Sequence, residues 1–251
     1  MRDAEWIGVR WLGVGLAAVL AVVTIALAAT GRLALYINPD STWFAVSMAV
    51  VALVGAVASF ALPLGAESDH GHDHGADDHG HDHAPHPAAV AATVVGGVAA
   101  SGVVVLTLVL PPASLSAELA ISRDVGATPL FAGADVVTLA ATGDTSSFGV
   151  GEWATVFATA TDPDAFDGDP IELTGFVTPG EGGAFDLTRL VITHCVIDAQ
   201  PASIPVADGY IPDTGQWVTV TGTVRSTSDG RLEIDAENVE AIDEPEDPYE
   251  Y

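Results

Sequence analysis

The run Asp69-His70-Gly71-His72-Asp73-His74-Gly75-Ala76-Asp77-Asp78-His79-Gly80-His81-Asp82-His83-Ala84-Pro85-His86 holds seven of the chain's eight histidines. Uncharged, strongly apolar sequence flanks it on both sides, at 41–66 and 87–117, and a third such stretch occupies 11–30. Each is long enough for a helix to cross a bilayer core of ~30 Å, which takes roughly 20 residues at the helical rise. None shows the polar face or the flanking strands expected of a core helix in a soluble protein. The stretch 11–30 also exceeds the h-region of a signal peptide, about 7–15 residues, and reads as a retained anchor. The expected architecture is therefore three transmembrane helices in region 1–113, with a polar loop, 67–87, strung between the second and the third.

Charge narrows the partners. The chain carries 34 acidic residues against seven basic ones, all arginine, for a formal net charge of −27. Nucleic acid is a poor partner for such a chain, because phosphate binding needs a basic footprint. With Cys195 as the single cysteine, no internal disulfide and no all-cysteine metal site can form within one chain. Arginine is also the only guide to orientation, and the flanking arginines balance. The first helix usually dominates such a tie. It predicts a cytoplasmic N-terminus, a multi-pass cell-membrane protein and an extracytoplasmic C-terminal domain. Trp6, Trp11, Tyr36 and Trp43 fall near the expected membrane boundaries, where amphipathic rings anchor a helix.

Beyond residue 113 the composition turns acidic and rich in Gly, Thr and Pro. Residues 114–169 read as a linker with a short helix over 149–160, whose Val150, Trp153, Phe157 and Ala160 recur at helical spacing as a core-facing stripe. From 171 onward the period changes to two. Segments 171–177, 185–192, 203–206, 217–224 and 232–235 read as five strands separated by Pro-Gly, Asp-Gly and Asp-Thr-Gly turn signals. Five short strands predict a mainly-β domain over 170–251, an OB-like small antiparallel barrel, with a sandwich as the alternative.

Two groups of residues have ligand chemistry. In the loop, His70, His72, His74, His79, His81, His83 and His86 alternate with aspartates; neutral imidazole suits zinc and other divalent transition metals, and nearby carboxylates raise the local cation concentration. Ordering such a Gly-rich loop costs about 1–2 kcal/mol per residue, so binding there is expected to be weak, plural and pH-dependent. The second group is His194, Cys195 and Asp198, at the end of a predicted strand. A thiolate–imidazole pair is the enzyme reading, but adjacent strand residues point to opposite faces. A metal or partner contact at the end of the barrel fits the same residues better, and a buried, inert cysteine is the plain alternative.

Several stretches together resemble a known family: Thr30-Gly31 with Tyr36-Ile37-Asn38-Pro39, the His70–His86 run, Gly175-Phe176-Val177, Arg189 through Ala199 with its Thr193-His194-Cys195-Val196-Ile197-Asp198-Ala199, Trp217 through Gly222, and Pro248-Tyr249. The chain is similar to the YcgQ-type family of uncharacterised, permease-associated bacterial membrane proteins, in which N-terminal helices and a His-rich loop precede a C-terminal domain of unknown function. The resemblance covers nearly the full length. It implies an accessory subunit beside a separate multi-spanning permease, in a setting of divalent metal (zinc) handling; the strand geometry at His194 and Cys195 makes the expected subunit non-enzymatic, and the apolar stretches make membrane lipid its other expected partner. The family pattern has two adjacent cysteines where this chain has His194 and Cys195. A vicinal dithiol is therefore ruled out here, whereas a zinc-ligand role survives, since imidazole can replace thiolate. The competing expectation is a stand-alone, membrane-anchored metal-binding or thiol sensor.

Overall fold

The computed structural model describes residues 2–61, 87–110, 114–115, 117–123, 140, 145–180, 182, 184–207 and 211–251. The His70–His86 run, and with it the seven expected loop ligands, lies outside the described residues. Two compact units emerge: Met1–Leu33 with Asp40–Pro112, and Ala34–Pro39 with Ala113–Tyr251. The short segment 34–39 thus belongs with the C-terminal part of the chain.

The first unit contains α1 (Arg2–Ala29), α2 (Thr42–Ala61) and α3 (Pro87–Val109), with α1 lying against both others. The expectation of three transmembrane helices is corrected here. Among the described residues one helical stretch, Pro39–Ser59, is long and apolar enough to cross a membrane, and little of it is buried. The other apolar stretches, Gly13–Ala29 and Val95–Val104, are shorter. On α2 the apolar side chains stand open, with Trp43 and Val57 each 72% exposed.

The second unit contains α4 (Ala117–Arg123), α5 (Val150–Thr159) and strands β1 (Pro170–Pro179), β2 (Phe185–Val191), β3 (Gln200–Ala207), β4 (Trp217–Ser226), β5 (Leu232–Ile242) and β6 (Tyr249–Glu250). The strand order is β1-β4-β5-β3-β2-β6, and β1 also pairs with β2, so the pairings run round five strands and return to β1. The OB-like antiparallel barrel expected from the sequence is corrected to a six-stranded mixed sheet. Two of its pairings are parallel, β3 with β5 and β2 with β6. Two residues such as Tyr249-Glu250 carry no period, so nothing local announced the sixth strand. Between β4 and β5 the register slips at Thr221/Gly222. A Cβ at Gly222 would collide with the Asp235 carbonyl, so this close approach requires glycine.

Alternation along the strands sorts side chains onto two apolar clusters. Ile171, Leu173 and Val177 of β1, Phe185 and Leu187 of β2, Ile204 and Val206 of β3, and Val218 and Val220 of β4 pack with Trp153 and Val156 of α5 in the larger one. Trp153 is 1% exposed, as the helical stripe requires. Phe176 and Leu190 turn the other way, joining Ile192, Ala120, Ala199 and Tyr249 in the smaller cluster, against which Leu35, Leu115, Ala117 and Trp217 pack. The smaller cluster therefore draws on six separate stretches of the chain.

Candidate functional site

β2 ends at Val191, and the chain turns through Thr193-His194 into an extended Cys195 and a 3-10 turn, Val196–Asp198. Asp198 closes this turn on itself. Its carboxylate accepts the backbone N–H of His194 at 3.0 Å and that of Cys195 at 3.2 Å, which satisfies donors that a short turn otherwise leaves orphaned. The His194 imidazole Nδ1 lies 3.3 Å from Asp198 Oδ2, with the imidazole 82% exposed. A contact so open to water contributes little.

The backbone of this turn receives the segment 34–39. Ile37 and Cys195 form an antiparallel bridge; the Asn38 N–H donates to the His194 carbonyl at 3.0 Å, and the Val196 N–H donates to the Tyr36 carbonyl at 2.9 Å. The Asn38 side-chain amide adds bonds to the Thr193 and Ile192 carbonyls at 3.1 and 3.3 Å. Two of the sequence landmarks, Tyr36–Pro39 and Thr193–Ala199, are thus the two sides of one contact.

The C-terminal tail fastens the same region. β6 pairs with β2, and the Ile192 N–H continues the ladder to the Glu250 carbonyl at 2.8 Å. The Tyr249 hydroxyl accepts the Leu115 N–H at 2.9 Å, and the Tyr251 hydroxyl donates to the Ala34 carbonyl at 3.1 Å and to Asp247 Oδ1 at 2.9 Å. Glu250 reaches the N-terminus of α5, where its two oxygens accept the N–H groups of Val150 at 2.9 Å and Gly151 at 2.7 Å. Orphaned amides and the helix dipole favour a carboxylate there. Gly149 leaves it room, since a Cβ at this position would sit 2.6 Å from Glu250 Oε1.

Arg189 pins the tail from the sheet. Its guanidinium lies 5.3 Å from the Trp217 ring centroid and donates to the carbonyls of Thr174 at 3.0 Å, Asp247 at 2.5 Å and Tyr249 at 3.3 Å. Burial lowers the pKa of Arg189, opposed by Glu250, Asp247 and Tyr251. Burial also pushes the Glu250 carboxyl above the usual carboxylate range, against the Gly151 and Val150 amides and Arg189, with Glu152 adding to the push. The Tyr249 and Tyr251 phenols are raised too, in both cases first by burial.

His194, Cys195 and Asp198 are therefore brought together, as a turn. Among the described residues no group of three or more His, Cys, Asp or Glu side chains could hold a metal ion. The Asp198 carboxylate accepts the backbone N–H groups of its own turn. The parts that sequence reasoning missed are Asn38, Arg189, Glu250 and Tyr251. A signal for Arg189 was present: in a chain with only seven basic residues, an arginine inside an alternating strand had to have partners. Glu250 carried none.

No curated protein and no solved structure matches the chain. Residues 14–126 match a family model described as the DUF1980 N-terminal domain, and residues 136–251 match one described as the DUF1980 C-terminal domain. Carrying both domains in order over most of its length, the chain belongs to the DUF1980 family.

Proposed function

We propose that this protein is a membrane-attached, non-enzymatic accessory subunit that works beside a multi-spanning permease, with a divalent transition metal, zinc in the first instance, as the ion that its His70–His86 run collects. The observation that carries the accessory reading is the use made of His194, Cys195 and Asp198. Backbone amides take up the Asp198 carboxylate and the Cys195 backbone pairs with Ile37, an arrangement that favours docking over chemistry at the thiol. The permease partner rests on the family resemblance, and the metal on the alternation of imidazole and carboxylate.

Segment 34–39 belongs to the sheet-containing unit and immediately precedes the candidate span Pro39–Ser59. The extracytoplasmic placement expected from the arginines relied on the first helix crossing the bilayer and is not carried forward. Protease accessibility of the C-terminal unit in intact cells decides the compartment.

Affinity purification of the tagged full-length chain from native membranes tests the main reading. A stoichiometric multi-spanning partner is the expected result; a chain that runs alone and still responds to zinc favours the stand-alone sensor. Calorimetry on a peptide spanning 67–87 tests the metal. Heat of zinc binding at neutral pH that vanishes near pH 5, where imidazole is protonated, supports it, and no heat at millimolar zinc refutes it.

A further inference from the structure

Strand β5 is paired along its whole length on one side and along little of it on the other. Partners in β4 run from Trp217, opposite Ile242, to Ser226, opposite Leu232. On the far side β3 meets only Ile234 and Asp235, through Val206 and Ala207. Among the described residues nothing pairs with that edge over 236–242, a length of roughly 23 Å at about 3.3 Å per residue. Two hydrogen bonds fix which backbone groups face it. The Val177 N–H donates to the Gln216 carbonyl at 2.9 Å and the Val224 N–H to the Asp169 carbonyl at 2.9 Å, so even-numbered residues of β4 face β1 and odd-numbered ones face β5. Asn238 and Glu240, opposite Thr221 and Thr219, therefore bond to β4, while Val239 and Ala241 turn their N–H and C=O groups to the open side. Around them Glu237, Asn238, Glu240 and Ala241 are exposed, and Val239 packs against the larger cluster and holds the strand in place. An open edge of this kind is a template for another strand, and no lysine or proline blunts it between 232 and 244. Charge selects what it accepts. Arg225 pairs with Glu233 and Asp235 near the start of β5, but every charged residue after Arg231 is acidic, which leaves Glu237, Glu240, Asp243 and Glu244 unbalanced along the open part. A second copy of β5 would set like charges against each other; a basic strand would not.

We propose that residues 236–242 receive an extended, basic segment of a partner protein as an added strand, its backbone bonded to Val239 and Ala241 and its arginine or lysine side chains beside Glu237 and Glu240. Main-chain bonds supply the affinity in this mode and side chains the selectivity. The proposal goes beyond the accessory reading above and depends on neither the membrane nor the metal. Its probe is a fluorescein-labelled heptapeptide alternating arginine with valine, titrated with the full-length chain in non-ionic detergent and followed by anisotropy. Two relatives of the peptide accompany it: one carries glutamate in place of arginine, and one keeps the arginines but is N-methylated at every residue, which preserves charge and removes the N–H donors. Saturable binding of the parent peptide is expected, weakened at least about tenfold by methylation, by the glutamates, or by Ala241→Pro in the chain. Proline is tolerated on an edge strand where the N–H faces outward; should that variant fail to fold, the methylated peptide on the unaltered chain still decides. A methylated peptide that binds as tightly as its parent overturns the proposal and leaves charge attraction alone. No saturable binding of the parent at millimolar concentration, or unchanged binding to a folded proline variant, overturns it as well.

Discussion

The two apolar clusters of the C-terminal unit are built by different means. The larger one collects side chains from an alternating set of strands and from one amphipathic helix, in a stretch that runs without long detours from Ala140 to Ile234. The smaller one gathers Leu35, Leu115, Leu190, Ile192 and Tyr249, residues from both ends and the middle of the sequence. Local pattern specifies the first. The second exists only once a segment before α2, the linker, the end of β2 and the C-terminal tail have met. Its polar frame is correspondingly dense: Asn38, Arg189, Asp198, Glu250 and Tyr251 all bond to backbone in other segments or turns. The larger cluster is thus expected to set the global stability of the unit, and the smaller one to set how firmly segment 34–39 is attached.

Substitution at the centre of the larger cluster breaks the comparison most severely. Trp153→Ala removes a fully buried indole that stacks edge-on against Phe148 and Phe157 and is expected to cost about 3–5 kcal/mol. Against a total stability of about 5–15 kcal/mol, chemical denaturation of the detergent-solubilised chain should show global loss. An effect confined to segment 34–39 would mean that the roles of the clusters are reversed.

Gly149→Ala acts on the smaller region. The new Cβ competes with Glu250 for space at the start of α5, a clash worth about 1–3 kcal/mol. Hydrogen exchange should quicken at Ile192, whose N–H the Glu250 carbonyl accepts, and along 249–251 and 36–38, while the β4–β5 amides stay protected. Uniform quickening across the sheet would show that the two clusters unfold as one.

Glu250→Gln sharpens the comparison further. Gln offers one acceptor oxygen where the carboxylate offers two, leaving Val150 or Gly151 without its bond, an effect of about 1 kcal/mol. The pH dependence carries more information than the mean. Because the folded pKa of Glu250 lies above its ordinary value, its contribution is fully present below the ordinary carboxylate range and is lost as pH rises through the elevated folded value. Wild type should therefore gain on the Gln variant as pH is lowered from neutral toward that range. Denaturation midpoints of both proteins, taken across that window, measure it; a difference independent of pH contradicts the assignment.

Cys195→Ser should do least. The backbone of Cys195, not its sulfur, pairs with Ile37 and bonds Asp198, so stability should change by less than about 0.5 kcal/mol. Partner co-purification should be unaffected as well. Loss of the partner on this substitution alone would return the thiol to the centre of the account.

Much of the larger cluster was legible in the sequence. The helix over 149–160 and the five strands from 171 appear where their periods placed them, since a period of 3.6 or of two repeated over a whole element leaves one face to bury. Membrane spans were read less well. Among the described residues only Pro39–Ser59 is both long and apolar enough to cross a membrane. The candidate site was legible as a list of residues and not as an arrangement. His194, Cys195 and Asp198 have ligand chemistry in any sequence, but what they do depends on whether their side chains or their backbone face the neighbour.

Sequence alone determined the acidic, lysine-free character of the chain, the change of period at residue 171 and the face that each strand buries. These follow from charge and from local geometry, which need no distant partner. Tertiary structure alone decided that Ala34–Pro39 belongs with the sheet, that two C-terminal residues form a sixth strand, and that an aspartate with metal-ligand chemistry spends its oxygens on its own turn. Each of these outcomes pairs groups far apart in the chain or chooses between competing partners for one oxygen, and the choice is made only when the backbones are close enough for the better hydrogen bond to win.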